Sequence, residues 1–281
     1  MPSIKLLIDG IMIIIQRQAY QSDLKDQEWE RIAPFFQTTS QRGRPQEWPT
    51  REIINGVLYL LRTSCQWRML PHDLPPWQTV YYHFNKWRTS GIWAKINHQL
   101  REEVRVAAGR EKTPSVAIVD AQSVKTTLVK GKRGYDAGKK VNGRKRHLIV
   151  DTMGLVLMVL VTTANIQDKP GAKILLTRLY QALSLPRLQV IWADKGYNGQ
   201  PIVTWVATQF RWVWQVITRQ DDVKGFVVVP KRWVVERTFG WLNNFRRLSK
   251  DYEELTETSE TFIYIAMSIT MAKRLAKTNS F

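Results

Sequence analysis

The sequence predicts an α/β protein, a mixed sheet with flanking helices, preceded by an all-α region that is helix-turn-helix-like. Three observations carry this. Apolar residues recur at helical spacing from about residue 22 to residue 110. After Glu111-Lys112-Thr113-Pro114 the pattern changes to short apolar runs separated by turns and helices. With 281 residues, 44% of them hydrophobic, the chain can bury one large core or two modest ones.

The elements follow in order. Residues 1–19 hold an apolar patch, Ile11 to Ile15, shorter than the roughly 20 residues of a membrane span and without a cleavage site after it. This stretch is expected to be a disordered extension. Residues 20–110 form the helical region. Ser22-Asp23 precedes Leu24, Trp29 and Ile32, which suits a capped helix start. Gln41-Arg42-Gly43-Arg44-Pro45 breaks that pattern, and Thr50-Arg51-Glu52 opens a second helix through Leu61. Prolines 71, 75 and 76 precede a helix over 78–87, and another starts at Gly91. Short helices joined by tight turns resemble a DNA-binding module.

Residues 111–281 form the α/β region. Val116 to Val119 reads as a strand ending at Asp120, and 147–150 and 155–161 as strands around a turn. Asp168-Lys169-Pro170 starts a helix. A strand over 188–193 ends at Asp194, a helix covers 201–210, and a strand covers 212–217. Helices over 230–248 and 258–277 complete the chain.

Charge narrows the function. Lys and Arg number 42 against 24 Asp and Glu, a formal net charge of +18 with a pI near 10.1. Such an excess points to a polyanionic partner, because neutralising phosphates releases counterions. The single cysteine, Cys65, excludes an intrachain disulfide and fits a reducing, cytoplasmic setting. The four histidines lack zinc spacing, and neither a Walker loop nor a Gly-x-Ser-x-Gly elbow is present.

Against this basic background, acids stand out. Carboxylates repel a polyanion unless divalent ions sit between them, and paired Mg²⁺ ions drive in-line attack at a phosphodiester. Asp120 and Asp194 follow apolar runs, and ligands collect at the carboxyl ends of α/β strands. Taken singly, an aspartate after a strand is more often a turn former or cap, so the pair gains force only where the two strands are neighbours. Glu236 shares a helix side with Arg232, Gly240, Asn243 and Arg247, opposite Val235, Phe239, Leu242 and Phe245. That stripe is either a solvated face or a metal ligand among phosphate contacts. Gly240 costs about 1 kcal/mol against alanine, which a close approach of nucleic acid would explain. Residues 125–146 hold nine Lys or Arg, glycines 131, 134, 138 and 143, and one acid, Asp136. They read as a flexible phosphate clamp.

Four stretches resemble bacterial insertion-sequence transposases of the DDE class, in the group named after insertion sequence 5. They are residues 117–125 (AIVDAQSVK), 134–140 (GYDAGKK), 193–197 (ADKGY) and 232–239 (RWVVERTF). The leading half is similar to the same group in Leu24 to Trp29, Gly43-Arg44-Pro45 and Cys65-Gln66-Trp67-Arg68. The resemblance covers about residues 20–275. It implies an RNase H-like catalytic domain in which Asp120, Asp194 and Glu236 bind two Mg²⁺ ions, with Mn²⁺ as a substitute. It further implies cleavage at the inverted-repeat ends of a mobile element, then strand transfer into a target.

Family members carry a Tyr, Arg, Glu, Lys signature around the glutamate. Arg232 and Glu236 match it, whereas Val229 and Asn243 stand at the tyrosine and lysine positions. The 42-residue spacing from Asp194 to Glu236 leaves no room for a large insertion domain. The expected DNA contacts are Lys125, Lys139, Lys140, Arg144, Lys145, Arg232, Arg246 and Arg247, with Arg42 and Arg44 in the leading region. The expected partner is double-stranded DNA, both element ends and target, bound by a homodimer, in the bacterial cytoplasm at the nucleoid and without a membrane. The alternatives are an inactive remnant or repressor that only binds DNA, and a general RNase H-like nuclease.

Overall fold

The computed structural model describes residues 3–8, 11–37, 46–127, 130–217 and 233–278. The first strands, β1 (Ser3–Ile8) and β2 (Ile11–Gln16), pair antiparallel as a hairpin, where a disordered extension was expected. β-branched Ile11 and Ile13 to Ile15 suit a strand, and the short apolar run is long enough for one. Arg17 then anchors the chain, paired with Asp23 at 2.7 Å and with Glu52 at 3.0 Å.

Four helices follow: α1 (Asp26–Ile32), α2 (Thr50–Thr63), α3 (Trp77–Ser90) and α4 (Ile92–Ala107). A left-handed Ser64 stops α2, and Gly91 at φ 65° separates α3 from α4, a backbone angle that favours glycine. Residues 64–76 between α2 and α3 exceed the three- or four-residue turn of a helix-turn-helix unit. The expected tight turn is therefore absent there.

The α/β part contains β3 (Val116–Lys125), β4 (Gly134–Asp136), β5 (Val141–Asp151), β6 (Val156–Thr163), α5 (Asp168–Ala182), β7 (Val190–Ala193), α6 (Gln200–Phe210), β8 (Val213–Val216), α7 (Trp233–Asn243) and α8 (Thr256–Thr278). The sheet runs β4-β5-β3-β7-β8, with β6 also pairing β5. β5 is antiparallel to β3 and β6, whereas β3, β7 and β8 are parallel. This is the expected mixed sheet with flanking helices.

Three differences from expectation affect the site. β3 does not stop at Asp120 but continues to Lys125, paired with β5 throughout. Residues 125–146 are correspondingly no flexible clamp: β4 and the first half of β5 lie within them. The late helix ends at Asn243, and Arg246–Leu248 forms a separate 3-10 turn after an extended Phe245.

Hydrophobic residues pack on both sheet faces. On one, Val119, Ile149 and Ile191 meet Leu175, Leu176 and Leu179 of α5 and Val206 of α6. On the other, Ile118, Leu148 and Val150 belong to a core with Val235 and Phe239 of α7 and with most of α8. That second core also takes in Ile53, Leu61, Phe84, Trp93 and Leu100 of the leading helices. α8 is buried nearly all round, as a helix apolar on every side must be, because it lies between sheet and leading helices. The two regions read from the sequence thus share one core across α8, with Phe84 stacked on Phe262 at 4.8 Å.

Candidate active site

Alternation along β3 assigns each side chain to a face. Ala117 and Val119 point to α5 and α6, so Ile118 and Asp120 point to the face covered by α7. β7 repeats the pattern, with Ile191 and Ala193 on the α5 side and Trp192 on the other. In the parallel register Val116 faces Val190 and Ile118 faces Trp192. Carried two residues further, that register sets Asp120 opposite Asp194, about one strand spacing (~4.8 Å) apart. β7 ends at Ala193 while β3 continues, so the two residues lie where β3 loses its parallel neighbour. Crevices of this kind hold ligands in open α/β sheets.

The surroundings leave part of this acid pair unanswered. Ala121 N–H donates to Asp120 Oδ1 at 2.7 Å. Asp194 Oδ1 is buried and accepts no hydrogen bond among the described residues. An unsatisfied buried oxygen is costly, and such groups in a folded protein mark bound ions or functional strain. Tyr197, one turn on, lies buried beneath the acids. Burial first, then the negative charges of Asp120, Asp168 and Asp194, push its phenol well above its ordinary pKa. Lys139 is exposed and donates through Nζ to the carbonyl of Ala121 at 2.8 Å, placing a cation one residue from Asp120.

Two carboxylates on one face with an orphaned oxygen fit a hard divalent cation, which takes oxygen ligands. The fit reaches the pair and stops short of the trio. Glu236 is exposed on the first turn of α7, beside Val235, and α7 packs on β3. Yet among the described residues no three His, Cys, Asp or Glu side chains converge on a point that would hold a metal ion. Residues 218–232, which lead into α7, lie outside the described residues. Gly240 is exposed, with open space where a Cβ would stand.

The expected phosphate contacts divide into three groups. Lys125, Lys139, Lys140 and Arg246 are exposed. Arg42, Arg44 and Arg232 lie outside the described residues. Arg144, Lys145 and Arg247 are corrections, because each is buried and held by the protein itself. Arg144 pairs with Asp251 at 3.0 Å and donates to the carbonyls of Lys132 and Glu254. Lys145 bridges Asp136 at 3.0 Å and Asp168 at 2.9 Å. Arg247 pairs with Glu253 at 2.6 Å and donates to the carbonyl of Cys65. A phosphate could reach these groups only by breaking buried ion pairs, at a cost of several kcal/mol (~3–5).

Sequence reasoning missed two features here. Tyr197 was noted only within a motif, and a buried aromatic beside an acid leaves no periodic signal. Asp168 was read as a helix start, yet it also holds Lys145 and lies within the field felt by Tyr197.

Comparison with known proteins bears on the whole chain. A family model described as "Transposase DDE domain" matches residues 111–271, and one described as "Putative transposase of IS4/5 family" matches residues 24–97. A "Putative transposase for insertion sequence element IS402" from Burkholderia cepacia is 30% identical over 126 residues, 43% of this chain and 59% of that protein. A 16.2 kDa protein of the same element is 26% identical over 124 residues, 42% of this chain and 78% of that protein. The chain thus spans under two thirds of the length of the first of these relatives. Among solved structures, the Mos1 strand transfer complex is similar at 14% identity, covering 86% of this chain and 80% of that one, with a TM-score of 0.29. The Mos1 mariner paired end complex with Mn gives 13%, 90%, 85% and 0.31. Scores this low carry no residue-by-residue correspondence.

Proposed function

This chain belongs to the family of transposases built on a DDE domain, and on that premise we propose that it binds the inverted-repeat ends of an insertion sequence, cuts them and joins them to target DNA. The observation that carries the reading is the acid pair: Asp120 on β3 and Asp194 just past the end of β7, which the parallel register of the two strands, continued, brings side by side, one oxygen of Asp194 unanswered. Asp120, Asp194 and Glu236 would hold two Mg²⁺ ions, or Mn²⁺ in their place. Bound divalent ions supply the Lewis acidity that makes water a nucleophile and stabilises a leaving oxygen.

The chain's own part is positioning. Asp120 and Asp194 fix the charge that a phosphodiester approaches, on the interior strand β3 and just past the end of the interior strand β7. Exposed Lys125, Lys139, Lys140 and Arg246 hold the flanking phosphates, and Lys139 does so nearest to Asp120. Gly240 leaves room on α7 for a DNA backbone. The 3′ hydroxyl freed by the first cut then attacks a target phosphodiester, displacing its 3′ oxygen, so no outside energy source is needed. A homodimer would pair the two ends. Among the described residues no helix is long and apolar enough to cross a membrane, and action on chromosomal DNA in the cytoplasm belongs to the same proposal.

A second reading, a remnant that binds ends without cutting, is favoured by one observation: among the described residues no three His, Cys, Asp or Glu side chains group to hold a metal ion. Incubation with Mg²⁺ and labelled DNA carrying the element's own ends separates them. The proposal expects cleavage, lost by at least about a thousandfold in Asp120→Ala with end binding kept. End binding without cutting by the intact protein establishes the remnant instead, and equal cutting of unrelated DNA establishes a general nuclease.

A further inference from the structure

The leading-half motif Cys65-Gln66-Trp67-Arg68 takes no part in the acid site. It forms a wall of a cleft of about 980 Å³ between the leading helices and the segment after α7. Trp67, Trp77 and Tyr81 offer ring surfaces there, with Tyr252 from the C-terminal segment opposite. Trp67 meets Tyr81 edge-on at 5.1 Å, and the exposed Arg68 lies over Trp77 at 5.5 Å. Arg88 adds a second half-buried cation to the lining. Two acids are present, but Glu253 is answered by Arg247 at 2.6 Å, which leaves Glu254 as the opposing charge.

Thr127 also lines this cleft, seven residues beyond Asp120 on the same strand path. At about 3.3 Å per residue the cleft lies roughly 20 Å from the acid pair. That distance is about six nucleotides along a DNA strand at ~3.4 Å each. The cleft is therefore too far away to seat the bond being cut, yet within reach of the same strand.

Rings recessed in a concave wall cannot stack on bases that are still paired inside a duplex. They can stack on bases that have left it, and arginines beside them suit the accompanying phosphates. We propose that this cleft binds unpaired nucleobases of a DNA strand, with Trp67, Trp77 and Tyr81 as stacking surfaces and Arg68 and Arg88 as phosphate contacts. The inference rests on DNA being the substrate, and it adds a single-strand contact about half a helical turn from the acids.

The test uses the full chain without Mg²⁺, so that cutting plays no part. Affinity is measured by fluorescence anisotropy for a labelled strand of six thymidines and for an abasic strand of the same length and charge. Stacking of one base is expected to favour the thymidine strand by about tenfold. Tyr81→Ala, at a ring 42% exposed and so tolerant of truncation, should reduce that preference below about threefold, and Tyr81→Phe should keep it. Arg68→Ala should weaken both strands alike and flatten the salt dependence. Equal binding of the two strands by the unaltered protein overturns the proposal, as does a preference that survives Tyr81→Ala. Where end-bearing duplex still binds specifically, such a result removes the cleft alone. Failure to bind any DNA removes the function above with it.

Discussion

Along β5, three cations enter the protein and each is held by a partner; at the end of β7, an acid enters and one of its oxygens is left without a donor. Arg144 and Arg146 point to the α8 side of the sheet. Arg144 pairs with Asp251 at 3.0 Å, and Arg146 donates to the carbonyls of Leu248 and Lys250. Lys145 points to the other side and bridges Asp136 and Asp168. Asp194 Oδ1, in contrast, is buried and unpaired among the described residues. Charge held inside the protein fixes a fold, and an acid left partly unanswered is available for chemistry. Three cations that looked like part of a phosphate clamp, Arg144, Lys145 and Arg146, are structural, whereas Lys125, Lys139 and Lys140 remain exposed.

The comparison breaks or holds most visibly at Asp194. Asp194→Asn keeps the shape and removes the charge. Cleavage of end-bearing DNA should fall by a thousandfold or more, on the order of 4 kcal/mol in barrier, while urea unfolding stays level or shifts toward greater stability. A loss of several kcal/mol in stability instead would make this carboxylate structural, like those that answer β5.

Arg144→Met applies the same test from the other strand. It leaves Asp251 buried without its cation, and a cost of about 3–5 kcal/mol in urea unfolding is expected. If stability is retained and DNA affinity falls, Arg144 belongs with the phosphate contacts after all.

His147 sharpens the contrast by a smaller margin. It is fully buried on the Lys145 side of β5, and Nε2 lies 3.1 Å from Thr162 Oγ1. Burial pulls its pKa down to about 4, with Lys145 and Lys139 adding to the shift against the pull of Asp168. Because an unfolded histidine titrates near 6.5, the unfolded chain binds more protons between about pH 6.5 and 4. Stability should therefore fall as pH drops through that window, by up to about 3 kcal/mol from this group. His147→Gln, neutral at every pH, should flatten the difference between unfolding curves at pH 7 and pH 4.5. An unchanged pH slope in that variant would assign the acid sensitivity to other groups.

Much of this was legible without coordinates. Helical spacing located α2, α3, α5, α6 and α8 within a few residues, because each is longer than ten residues and carries a continuous apolar stripe. The apolar runs before Asp120 and Asp194 located both acids at their crevice. The far half of β3 and the near half of β5 were not legible. Gln122, Ser123, Lys125, Arg144, Lys145 and Arg146 have no strand-like apolar alternation. Their pairing is stabilised by Asp136 and Asp168 and by a segment more than one hundred residues away, and, Asp136 apart, no local window contains those partners. The single core across α8 was hidden for the same reason: Phe84 and Phe262 are stacked, yet lie far apart in the chain.

By itself, the order of residues determined the family, the helical lead followed by an α/β part, and which acids to propose for the site, since these depend on short-range pattern and on chemistry written in side chains. Only the tertiary structure decided that β3 and β7 run parallel, in a register that leads Asp120 and Asp194 to the same end of the sheet, and which cations are already spent inside the fold. Distance between groups remote in sequence, and the answering of one buried charge by another, arise only when the chain closes on itself.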